Sequence, residues 1–179
     1  IRKKNITSSA ARYLLNKRAS EKFGQKELPF AICKITIANI FENIDFGNIW
    51  ITGKKENWKE LLTFIENELR KTLQFGFFDD EFNNYKRDYL VYLNNSVIKS
   101  KTIDSNSYME QIATSINKNI PFQDYTQFFE VEKTLLEKLT KEDINIELRK
   151  FFKVDHRLIS LFGDAEIPNA LEEIKKCFE

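Results

Sequence analysis

The sequence predicts an α+β domain, and three observations carry the prediction. Two consecutive stretches alternate apolar and polar residues with period two, about seven others repeat apolar residues at spacings of three and four, and capping or stopping residues separate them. Their order is helix, two strands, about five helices, one strand and a terminal helix. That order suggests two layers: a small antiparallel or mixed sheet covered on one face by several helices.

The first helix is expected over residues 8–23. Thr7 and Ser8 can cap it, Ala11, Leu14, Leu15, Ala19 and Phe23 follow helical spacing, and Gly24 is a suitable left-handed stop. Pro29 forbids continuation. Over residues 30–41, Cys33, Ile35 and Ile37 alternate with Lys34 and Thr36, and residues 46–52 repeat the pattern. The short polar link at residues 42–45 predicts an antiparallel hairpin.

Gly53 ends the hairpin, and Asn57 with Glu60 three residues later reads as a capping box for a helix bearing Trp58, Leu61, Leu62, Ile65 and Leu69. Gly76 stops it. Asp79 caps a helix with Phe82, Tyr85, Tyr89 and Leu93 on one face, and the polar run 99–106 precedes another bearing Tyr108, Ile112 and Ile116. Asp124 with Gln127 and Thr140 with Asp143 start two more helices in series. Residues 158–162 read as a short apolar strand stopped by Gly163, and Pro168 opens a last helix through Leu171, Ile174 and Phe178.

Composition excludes several function classes. The 28 basic and 27 acidic side chains leave a net charge of +1, which gives no field to attract nucleic-acid phosphates or anionic lipid. No stretch approaches the roughly 20 apolar residues of a bilayer helix, so membrane insertion is not expected. Arg12, Lys17 and Arg18 lie along a helical pattern and read as a solvated face. Cys33 and Cys177 lie near opposite ends without local spacing, and Cys33 is expected as a buried free thiol.

Catalytic chemistry is poorly supplied. His156 is the single histidine, so neither H-E-x-x-H nor H-x-x-E-H can be written, and a zinc set built from His156, Cys33, Cys177 and a carboxylate would lack paired spacing. No G-x-S-x-G elbow presents a nucleophile to that histidine, and no glycine-rich motif cradles phosphate. Asp79, Asp80 and Glu81 coincide with a helix start, where unsatisfied amides favour negative charge. The 16 phenylalanines occur at core spacing or helix ends and are expected to pack rather than stack on bases. No catalytic, cofactor-binding or metal-ligating residue is therefore assigned.

Several segments taken together carry a family resemblance. The stretch from Tyr13 through Asn16, Lys17 and Arg18 to Glu21 is similar to an "LNRRLSEL" helix, and Leu28-Pro29-Phe30-Ala31 to a "PPF" strand entry. Glu68-Leu69-Arg70-Lys71 followed by Gln74 to Phe82 resembles "ELRRAREHGFTEAEL", the most specific likeness, and Leu139 to Ile144 resembles "LTPEDV". These signals resemble the second, non-catalytic domain of zinc metallopeptidases of the pitrilysin/insulinase family, related to the processing peptidases. The likeness implies a domain over residues 1–164 and the start of an interdomain linker helix over 165–179. It also implies a wall of a peptide-enclosing chamber, with other domains of the same peptidase and its peptide substrate as partners. Zinc would be bound by another domain, with no cofactor in this chain.

Two rival readings are a catalytically dead relative acting as an assembly subunit and a helical adaptor that binds a partner protein. Ile1 opens the chain and Met109 is its single methionine, so a natural start upstream is expected. In the resembling domains a strand precedes the first helix, so the sheet is expected to be incomplete. The hairpin and the strand at 157–162 should then close on each other or be bridged by a neighbouring copy.

Overall fold

The computed structural model describes residues 2–25, 32–40, 44–117, 119–153, 156–164 and 166–178. In chain order these form α1 (Arg2–Gln25), β1 (Ile32–Ile40), β2 (Ile44–Thr52), a single 3-10 turn (Lys55–Asn57), α2 (Trp58–Phe75), α3 (Asp79–Ser100), α4 (Ser105–Asn117), α5 (Tyr125–Lys138), α6 (Lys141–Phe152) and α7 (Ala170–Lys176). The architecture is α+β, with an antiparallel two-stranded sheet and helices packed on one of its faces.

The hairpin follows the predicted alternation. Cys33, Ile35 and Ile37 lie opposite Ile51, Ile49 and Gly47 and face the helices, whereas Lys34, Thr36 and Ala38 lie opposite Trp50, Asn48 and Phe46 on the other face. Gly47 is needed where it stands. A Cβ there would lie 3.1 Å from the Phe151 carbonyl oxygen and from the Phe152 ring, because the end of α6 runs onto the strand.

α1 is the hub of the fold. It touches β1, α3, α5 and α6, and Ile6, Ala10, Ala11, Leu14, Leu15 and Ala19 are all buried. The three alanines let neighbouring backbones come close. Because Ile6 and Ala10 extend the stripe upstream, the helix begins at Arg2 and not at the expected Thr7–Ser8 cap. Thr7 is itself buried, Ser8 donates to Glu147 at 2.6 Å, and helical backbone continues past Gly24 to Gln25.

The predicted caps fare unevenly. Asp124 with Gln127 and Thr140 with Asp143 form the reciprocal capping boxes that their spacing predicts. Asn57 occupies the N-cap of α2 but its side chain makes no capping bond, since the preceding 3-10 turn tightens the entry. At α3 the cap position is Phe78, whose N–H is accepted by the Glu81 carboxylate at 2.7 Å, so Asp79 opens the first turn instead.

The stripes of α2 and α3 lie in the expected phase. Leu61, Ile65, Leu69, Tyr85 and Leu93 are buried, and Leu62, Phe82 and Tyr89 are half-buried. Leu69→Ala and Leu93→Ala are each expected to cost about 2–5 kcal/mol, read from urea denaturation midpoints at constant slope. A loss below about 1 kcal/mol at both sites would mean that the stripes are not what packs the helices.

Residues 158–162 do not form the expected strand. They carry no regular secondary structure and are bridged to no other strand among the described residues, with Leu158 93% and Phe162 80% exposed. The segment is tethered at its ends, where Arg157 reaches both Glu66 carboxylate oxygens and the Phe152 carbonyl, and Asp164 meets Lys55 at 3.4 Å. Apolar alternation alone does not secure a ladder partner. The terminal helix forms as α7, tied to α2 by Lys59–Glu173 at 2.6 Å and by Arg70 donating to the Phe178 carbonyl.

Candidate functional site

The residues singled out for chemistry are dispersed. Among the described residues, no group of three or more His, Cys, Asp or Glu side chains could hold a metal ion. His156 is exposed, and Cys33 and Cys177 are free thiols. Burial pushes the Cys33 thiol up to about 11, which suppresses the thiolate a nucleophile requires. At pH 8 its reaction with a disulfide reagent is expected to run about two orders of magnitude slower than that of an exposed thiol. Labelling of Cys33 at the rate of a small thiol would contradict the packing described.

Several carboxylates likewise serve structure. Glu66 is held by Arg70 and Arg157, Glu132 accepts from the Tyr89 hydroxyl at 2.8 Å, and Glu147 accepts from Ser8 and Lys150. All three are buried, and each has a donor that offsets part of its desolvation. Asp79 meets Lys141 at 2.5 Å, and Glu81 serves the α3 cap and Arg18. Burial and the nearby Glu132 carboxylate raise the Tyr85 hydroxyl above its ordinary range. The cavity between α1, α2 and the sheet, lined by Leu15, Ala19, Ile35, Ile49, Ile65 and Leu69 among others, has room for about one water molecule.

Two polar placements have no counterpart in the sequence pattern. Arg18, expected on a solvated face, has a side chain only 11% exposed. It donates to Glu81, Thr72 and the Gly76 carbonyl and lies 5.0 Å from the Phe77 ring centroid. Nothing in its local spacing distinguishes it from Arg12, which is exposed. Asn16 gives no local signal either. Its amide closes on one residue of β1, accepting the Ile35 N–H at 2.9 Å and donating to the Ile35 carbonyl at 2.8 Å.

That bidentate contact defines the two edges of the sheet. Ile35 turns its backbone groups away from β2, so its partner Ile49 turns its own away from β1. On the β1 edge, α1 thus caps Ile35. Along β2 the same alternation directs the backbone N–H and C=O of Asp45, Gly47, Ile49 and Ile51 outward. The outer face beside that edge carries Ile44, Phe46 and Trp50, 55%, 42% and 52% exposed.

These features define a small helix-covered sheet domain with an open strand edge and no assembled catalytic set among its described residues. Comparison with solved structures gives the fold its relatives. A chain described as a predicted insulinase family protease from Yersinia pestis matches with a TM-score of 0.79 and 17% identity, over 99% of this chain and 39% of that one. The periplasmic protease PqqL from Escherichia coli matches with a TM-score of 0.75 and 19% identity over 97% of this chain and 20% of its own. A structure of the first half of PqqL gives 0.73 and 20% over 84% and 32%. The chain therefore has the fold of a domain found in insulinase-family proteases, and it spans about two fifths or less of the chains it matches. No protein-family model and no curated protein sequence matches it.

Proposed function

We propose that this chain is a non-catalytic, substrate-enclosing domain of a zinc-dependent metalloendopeptidase of the insulinase family. The observation that carries the reading is the match of nearly the whole chain to a minor part of a protease chain, joined to a sequence whose single histidine cannot supply a zinc-binding H-x-x-E-H pair. The described residues do not fit a zinc site, so in this reading zinc and its activated water belong to another domain of the same polypeptide. The domain's own contribution is a rigid wall. Its buried carboxylates Glu66, Glu132 and Glu147 are held by internal donors.

Other domains of the same peptidase would be its partners, and unfolded peptide the parent's substrate. Sequencing the gene on both sides of this region tests the reading. An H-x-x-E-H motif in the neighbouring domain is expected. A homologous neighbour in which the histidines or the glutamate are replaced would instead favour a catalytically dead assembly subunit.

A further inference from the structure

The open β2 edge has a partner that its own sequence specifies, and we propose that two copies of this chain associate by antiparallel β2–β2 pairing. Four features lead to this. The first is that the two edges of the sheet differ. Asn16 and α1 occupy the β1 side, whereas Gly47, Ile49 and Ile51 direct backbone donors and acceptors outward with no hydrogen-bond partner among the described residues.

The second is the absence of the usual protection. β2 reads IDFGNIWIT, with no lysine, no proline and an unbroken register against β1, so apart from the single charge of Asp45 nothing blunts the edge against another strand.

The third is self-complementarity. In the antiparallel register that overlaps all of Ile44–Thr52 with itself, Asn48 faces Asn48 of the second copy across the two-fold axis. Gly47 then meets Ile49 twice, so those new ladder bonds join groups already pointing at the interface. On the outer face the same register sets Phe46 opposite Trp50 twice, at the non-hydrogen-bonded positions where side chains approach most closely. Both are half exposed in the single chain and gain an aromatic partner.

The fourth is charge. Asp45 falls opposite Ile51 and not opposite its own copy, and the net charge of +1 sets up little repulsion between chains. The product is a four-stranded sheet, β1-β2-β2-β1, in which Asn16 occupies the backbone groups of Ile35 on each outer strand.

The test uses the 179-residue chain in sedimentation equilibrium, with circular dichroism to monitor the fold. A mass twice 21.2 kDa is expected at high concentration. Asn48→Lys sets two like charges face to face on the axis and should weaken association by about tenfold or more while leaving the monomer's melting curve in place. Asn48→Cys reads the register directly, because mild oxidation should give a dimer cross-linked through the introduced thiols. Trp50→Cys, displaced from its own copy, should not cross-link. A chain that stays monomeric at its solubility limit, as would follow if residues 157–162 or another strand of the same molecule closed the edge, overturns the proposal. So does a dimer indifferent to Asn48→Lys or one in which Trp50→Cys cross-links as readily as Asn48→Cys.

Discussion

Phe77→Ala is expected to destabilise the domain by about 3–5 kcal/mol, the range for removing a large buried aromatic side chain. Phe77 is 2% exposed and belongs to the cluster that joins α1, the sheet, α3, α5 and α6. Its ring also carries the Arg18 guanidinium, which in turn holds Glu81 at the start of α3. Truncation therefore opens a cavity and loosens the residue that fixes the α2–α3 corner. The neighbouring Phe78 also meets Arg18, 5.3 Å from its ring centroid, but is 66% exposed and provides the control for burial, with Phe78→Ala expected within about 1 kcal/mol of the parent. Chemical denaturation of both variants checks this, and equal losses would show that the corner is not anchored through Phe77.

The second large effect is expected at Gly76. Its φ of 74° lies in the region that side chains avoid, and a Cβ built there would stand 2.6 Å from Asn145 Nδ2 and 2.8 Å from its Oδ1. Asn145 cannot simply swing aside. It is buried, and its Oδ1 accepts the Phe77 N–H at 3.1 Å. Backbone strain and the forced contact together place Gly76→Ala at about 2–4 kcal/mol. Asn145→Ala removes the obstacle but leaves the Phe77 N–H unpaired, so the double variant should lose less than the sum of the singles, by about 1 kcal/mol or more. Strict additivity in a double-mutant cycle would rule out the contact.

Local signals made much of this fold legible. The hairpin, the order of the helices, the stripes of α2 and α3 and the capping boxes at Asp124 and Thr140 depend on neighbours within a few residues, and periodicity reports such neighbours. What failed depends on distant partners. The start of α1 is set by packing against β1 and α6, and a side chain such as Thr7 that looks like a cap becomes part of the core. Residues 158–162 have the composition of a strand, yet a strand exists only where another lies alongside it. Arg18 and Asn16 are polar residues on a helical pattern, and only the approach of α3 and β1 from elsewhere in the chain gives them their roles. Composition is most restrictive about catalysis, because a single histidine by itself removes most zinc and nucleophile chemistry.

The central claim, that this domain encloses substrate for a catalytic centre located elsewhere in the polypeptide, is tested most directly by hydrolysis of an unstructured fluorogenic peptide. The full-length gene product and the 179-residue chain would be assayed side by side with and without zinc. The claim predicts cleavage by the full-length protein that a chelator abolishes and zinc restores, and no cleavage by the chain alone at any zinc level. Zinc-dependent turnover by the isolated chain, or a full-length protein that stays inert with zinc bound, would contradict it.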